Sequence, residues 1–227
     1  MLQRKHKIAG GVIAVLIILG TLAVHVAGNK AAGFVNEMAD RQTVLQGKLE
    51  IGHFSASVSG NVVFENVVWT APDGKKLAEV PEMNVSANLF DILKGSFGIN
   101  SINSISIEKP QFAVNYTDKD GLDIINYINF SDKDDETPTE FRGMVEITDG
   151  ALALDMNGQK LDFSNVEMQA NLKEFPDIKF TLQGKNGDAD LIGSIDKVYD
   201  DVTIGAEVKN LQITELMKVL PSFGELS

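Results

Sequence analysis

From Gly47 onward, apolar and polar residues of this chain alternate in short, one-sided runs, and this restricts the fold more than any other feature. Val58, Val62, Phe64 and Val68 open the series, followed by Met83–Leu89, Ile105-x-Ile107 and Phe112-x-Val114-x-Tyr116. The pattern resumes at Val145-x-Ile147, Leu152-x-Leu154-x-Met156, Val166-x-Met168-x-Ala170-x-Leu172 and Ile178-x-Phe180-x-Leu182. Ala189-x-Leu191 and Val202-x-Ile204-x-Ala206-x-Val208 complete it. A period of two places one set of side chains on a single face of a strand. Parallel sheets covered on both faces read instead as continuous apolar runs. Pro72-Asp73-Gly74, Lys109-Pro110, Asp149-Gly150, Asn157-Gly158 and Asn186-Gly187-Asp188 supply the turns, several of them favoured hairpin dipeptides. The expectation is an antiparallel meander with one apolar face, either folded into a sandwich or curled as a single sheet around a groove.

Helical patterns interrupt the alternation at a few places. Leu89, Phe90, Ile92 and Leu93 are spaced for one or two helical turns, and Gly95 follows where a left-handed backbone ends a helix cheaply. We read these four residues as a short helix capping one end of the sheet. Residues 29–46 suggest a helix before the first strand, residues 121–128 a second short one after an acidic turn, and Thr214–Leu220 a last one. Residues 131–140, SDKDDETPTE, have no apolar side chain and form a solvated linker. The expected organisation is therefore a head at 1–28, a first β unit with its leading helix at 29–130, the acidic linker at 131–140 and a second β unit at 141–227.

The head is a membrane segment. Ile8 to Ala27 carries no charge other than a protonatable His25, and about 20 residues at roughly 1.5 Å each match a hydrocarbon core of roughly 30 Å. A cleavable signal peptide has a shorter apolar region and a small-x-small cleavage site. Here cleavage after Ala27 or Ala32 would set His25 or Lys30 at the third residue before the cut, and only cleavage after Gly28, with Val26 there, is passable, so an uncleaved signal anchor fits better. Arg4, Lys5 and Lys7 precede the span, and no acid appears before Glu37. The positive-inside rule then leaves the N-terminus cytoplasmic and the body on the far side.

The rest of the chain argues against several chemistries. The formal net charge is −12, and removing the three basic residues of the head leaves 17 basic against 32 acidic ones. Such a body repels a phosphate backbone, so nucleic acid is not an expected partner. Without cysteine there is no disulfide frame, thiolate site or cysteine nucleophile. His6, His25 and His53 are dispersed over the head, the span and an early strand, and no zinc, nucleophile-elbow, P-loop or dinucleotide motif is present. Asp118-x-Asp120-Gly121-x-Asp123 has the flavour of a calcium loop, but the register that fits its glycine puts Tyr116 and Tyr127 where carboxylates belong. The chain reads as a non-enzyme with no cofactor and no metal.

The order of these features resembles the AsmA-like family, the group that includes TamB-type proteins and is related to the bridge-like, chorein-repeat lipid transfer proteins. The resemblance is carried by the anchor, the segment GNVVFENVVWTAPDGKKLAEVPEMNVSANLFDILKG from Gly60, the Ile-rich strand ending in Glu108-Lys109-Pro110, and the Asp118–Gly121 turn. Its second unit starts at Gly143, Val145, Ile147, Asp149 and Gly150 within residues 141–172, and NLQITELMKVLP at 210–221 is similar to the exit of such a unit.

The resemblance implies a mainly β fold: an N-terminal transmembrane helix, then a curled antiparallel β-sheet forming a groove, with short interrupting helices. It implies a single-pass protein of the inner membrane with a periplasmic body, moving phospholipid or another lipid in outer-membrane and envelope biogenesis. Members that bridge two membranes are much longer, so a chain of this length is a piece or hands its lipid to an envelope protein extending the groove or to an outer-membrane assembly protein. The candidates for the groove lining are Val85, Ile105, Ile107, Phe112, Val114, Leu152, Leu154, Val166, Met168, Phe180 and Ile204. The same residues would serve equally well as the core of a closed sandwich. The other functional reading is a membrane-tethered scaffold for envelope protein assembly, acting by strand addition to a partner.

Overall fold

The structure, a computed structural model, describes residues 45–57, 59–88, 90–91, 99–119, 121–128, 141–199 and 201–210. The expected membrane span, the acidic linker and the C-terminal helix lie outside the described residues. Among the described residues no helix is long and apolar enough to cross a membrane.

The body is mainly β. Its strands are β1 (Lys48–Ala56), β2 (Asn61–Thr70), β3 (Lys76–Ala87), β4 (Ile102–Glu108), β5 (Gln111–Thr117), β6 (Gly121–Leu122), β7 (Met144–Met156), β8 (Gln159–Asn171), β9 (Ile178–Asn186), β10 (Ala189–Val198) and β11 (Asp201–Lys209). One short helix, α1 (Asp123–Asn126), follows β6, and a 3-10 turn (Ile99–Ser101) leads into β4. All eleven strands belong to one sheet, in the order β1-β2-β3-β4-β7-β8-β9-β10-β11, with β5 in line with β4 between β3 and β7.

The sheet is mixed, which corrects the antiparallel expectation. β4 and β5 both run parallel to β7, and both pair with it in one unbroken register, Ser104 beside Met144 and Tyr116 beside Met156. Hairpin chemistry accounts for the antiparallel pairs on either side. Pro72-Asp73-Gly74 turns β2 into β3, Asn157-Gly158 turns β7 into β8 with both residues at positive φ, and Gly187 turns β9 into β10. No tight turn joins β5 to β7, so the chain between them is free to cross over and return in the same direction.

Lys109-Pro110, expected as a turn, is a break between β4 and β5, which continue in one line, and Asp149-Gly150, also expected as a turn, lies inside β7. A line of such irregularities crosses the sheet. Between Ile51↔Val67 and His53↔Glu65, Gly52 lies opposite Asn66. The flanking pairs then place Asn66 opposite Pro81 and Pro81 opposite Lys109, with Lys109 beside Asp149. Asn66, Lys109 and Asp149 adopt φ of 54°, 50° and 53°, and Asn165 of β8, stepped one pair further on, adopts 48°. At this line each strand spends one extra residue. Its buried side chains therefore fall at Phe64 then Val67, Val80 then Met83, Ile107 then Pro110, and Ile147 then Gly150. An extra residue bends a strand and would reverse its faces if a partner did not match it. Matched extra residues across β1 to β8 keep one apolar face through the bend. At Gly52 a side chain has no room: its Cβ would lie 2.9 Å from that of Asn66.

The core lies on this face. Phe64, Leu77, Met83, Ile102, Ile105 and Ile107 are fully buried, and Val145, Ile147, Met168, Ala170 and Leu172 continue the cluster across β7 and β8. One end is sealed by α1 with Leu45 and Ile128, which form a single β-bridge to each other. Leu45 and Gln46 are thus extended where the sequence pattern put the end of a helix. Trp69 is buried beneath this end and donates its indole N–H to the Gln46 carbonyl at 2.9 Å.

The acidic turn does not cap α1: the cap position is Leu122, which makes no side-chain bond there. Asp123 instead accepts the Asn115 amide at 2.8 Å and the Lys75 ammonium at 2.6 Å, tying α1 to β5 and to the β2–β3 turn. Tyr127 donates its hydroxyl to Asp73, and burial, reinforced by that carboxylate and by Asp123, pushes its phenol above the ordinary value of 10.0.

Candidate functional site

Directly paired residues in a sheet share a face, so the register decides which candidates lie together. One row runs Val85, Ile105, Val145, Ala170, Phe180, Ile195 and Ile204 from β3 to β11. A second runs Met83, Ile107, Ile147, Met168, Leu182, Gly193 and Ala206. On the other side of the bend, Phe112, Leu152 and Phe163 form one row, and Val114, Leu154 and Leu161 another. All eleven candidates named from the sequence therefore lie on the apolar face, together with residues that were not singled out.

Their accessibility divides them. Val85, Ile105, Ile107, Val114 and Met168 are buried in the core, and Phe112 and Phe180 pack half-buried against it. Leu152, Leu154 and Val166 line a concavity of about 310 Å³ with Phe163, Leu182, Leu191, Ala206 and Val208. Ile204 stands on β11 with 73% of its surface exposed, beside Val202 at 52%. The face that is closed over β1–β4 and the first half of β7 thus opens beyond the bend of β7 and β8 and across β9–β11. Gly184 and Gly193 floor the concavity, where the absence of side chains deepens it between Leu182, Leu191 and Val208. Lys179 pairs with Asp196 and Lys185 with Asp190 on the other face, while Gln183 and Glu207 join the apolar residues that line the concavity.

Leu182, Leu191 and Val208 were legible as strand residues but not as site residues, and Phe163 fell outside the alternating runs of the sequence. Phase alone does not say which stretch of a shared apolar face stays uncovered. For the end-cap helix, Phe90 and Asp91 are helical, with the Phe90 amide held by Asn88 Oδ1 at 3.0 Å and the Phe90 ring 71% exposed. Leu89, Ile92 and Leu93 lie outside the described residues.

A second concavity, of about 530 Å³, lies on the opposite face where β1–β4 meet. Ser55, Ser57, Asn84, Ser86, Ser104 and Ser106 line it with hydroxyls and amides. Two of these are engaged, Ser57 with Ser59 at 2.6 Å and Asn84 with Glu82 at 2.7 Å. Among the described residues no three His, Asp or Glu side chains gather as a metal site. No family model, curated protein or solved structure matches the chain.

The apolar concavity is lined mainly by aliphatic and aromatic side chains. It can hold an elongated apolar group against Leu152, Leu154, Phe163, Leu182, Leu191 and Val208, at about 25 cal/mol for each Å² kept from water.

Proposed function

We propose that this chain is a membrane-anchored, periplasm-facing protein of the AsmA-like type, which shelters the acyl chains of phospholipid or a similar lipid in envelope biogenesis. One observation carries the proposal: the apolar rows run in register from the buried core of β3–β8 to β11, where the same face lies open around a concavity of about 310 Å³. An apolar sheet face left open to water over several strands is a liability unless something apolar occupies it. Acyl chains satisfy that requirement without a catalytic group, since each methylene withdrawn from water is stabilised by about 0.8 kcal/mol. The headgroup then stays at the open side, in water. The apolar run Ile8–Ala27 supports an anchor in the inner membrane, and the basic residues before it support a periplasmic body.

The test is to purify the full chain in mild detergent and identify co-purifying lipid by mass spectrometry, for the native protein and for Leu182→Glu and Leu191→Glu. Both side chains border open space, so their replacement leaves the core of β3–β8 intact, which thermal unfolding checks. A carboxylate among apolar side chains costs more than 1.4 kcal/mol, so retained phospholipid should fall by about tenfold or more. Equal lipid in native and substituted proteins would overturn the proposal.

A further inference from the structure

β11 is the edge of the sheet, and among the described residues no strand pairs with its outer side. Edges of this kind are ordinarily blunted by a proline, a bulge, a central lysine or a short strand. β11 has none of these. Its nine residues, DVTIGAEVK, pair with β10 without interruption from Val198↔Asp201 to Asp190↔Lys209. Val202, Ile204 and Val208 are each at least half exposed.

We propose that the occupant of this edge is a second copy of the chain, joined through antiparallel pairing of β11 with β11 about a two-fold axis at Gly205. The charges of the strand select this partner. The register that uses all nine residues sets Asp201 against the partner's Lys209 at both ends, Thr203 against the partner's Glu207, and Gly205 against the partner's Gly205. On the other face Val202 meets the partner's Val208 and Ile204 meets the partner's Ala206. No like charges stand opposite each other, and opposite pairs across antiparallel strands are mutually stabilising. A two-fold axis perpendicular to the sheet keeps both apolar faces on one side, as an isologous interface requires. The open concavities of the two copies then adjoin, and the apolar face continues from one copy into the next. The pairing stands apart from the lipid reading, because edge hydrogen bonds and charges would bring the copies together whether or not a lipid is present.

Two measurements on the full chain in detergent test it. In sedimentation, the native chain should be dimeric at micromolar concentration. Asp201→Lys, which sets lysine against lysine twice, should weaken association by about tenfold, and the swap Asp201→Lys with Lys209→Asp should restore it. Both positions are exposed, and recovery in the double variant excludes misfolding. The second measurement uses the absence of cysteine from the chain. Opposed residues of an antiparallel pair have Cα atoms roughly 4.5–5.5 Å apart, within disulfide reach. Gly205→Cys should oxidise to a covalent dimer once the Ser194 hydroxyl, 2.6 Å from the new Cβ, turns aside. Lys209→Cys, opposite Asp201 of the other copy, should not. A monomeric native chain, a dimer indifferent to Asp201→Lys, or a copurifying strand from a different protein on β11 would each overturn the proposal.

Discussion

Asn66, Lys109, Asp149 and Asn165 take a left-handed backbone that costs an ordinary L-residue about 1–2 kcal/mol. Asn and Asp tolerate it best, which explains three of the four, and Lys109 precedes a buried Pro110 that fixes the next step of the chain. In the sequence Lys109 and Asp149 look like turns, and Asp149-Gly150 carries the very dipeptide of a tight hairpin. What converts a turn signal into a strand bend is the neighbouring strand, which supplies an extra residue at the same level. Local chemistry does not contain that information. The bend has a residue-level consequence: Asp149→Gly should leave stability near the native value, whereas Asp149→Val should lower it by about 1–3 kcal/mol. Chemical denaturation of the two variants measures the difference, and equal effects would show that the left-handed backbone at 149 is not what holds the bend.

At the scale of elements, most strands of the body are visible as alternating apolar runs, and the hairpins at 157–158 and 186–188 lie where their turn residues indicate. Three features were not visible. Val68 reads as part of the run from Val62 and Phe64, but the extra residue at Asn66 hands the inward positions to Val67 and Trp69. Residues 145–156 read as two strands and form one, for the same reason. The parallel pairing of β4 and β5 with β7 depends on a crossover between segments that has no local signature. The elements also differ in what their apolar residues stabilise. Ile105 on β4 is fully buried, and Ile204 on β11, in the same row of the sheet, is 73% exposed. Ile105→Ala should therefore cost about 2–5 kcal/mol, and Ile204→Ala well under 1 kcal/mol. Denaturant titration of the two variants decides this, and comparable losses would mean that β11 is part of the core.

For the molecule as a whole, sequence phase assembled the candidate site on the correct face and stopped there. Every residue chosen for the groove lies on the apolar face, but Val85, Ile105, Ile107, Val114 and Met168 are sealed within the core. Only Leu152, Leu154 and Val166 of that set reach the concavity, and Leu182, Leu191 and Val208 complete it. The distinction depends on the course of the whole sheet: nine strands stand abreast, on the order of 40 Å at roughly 4.8 Å each, and cover is lost from the bend of β7 and β8 to the last strand. Under the proposed function, a sheet of this breadth would shelter an acyl tail locally and pass lipid on rather than span an envelope alone.

The claim that the open apolar face over β9–β11 is the lipid-bearing surface is tested most directly by photo-crosslinking in cells, with a benzophenone side chain at single positions of the full chain. Positions 182, 206 and 208 lie on the apolar face, and 181, 185 and 203 alternate with them on the other, away from the concavity. Lipid adducts at the first three and none at the second three are the predicted result. Adducts of equal yield from both faces, or none from the first three, would contradict the account.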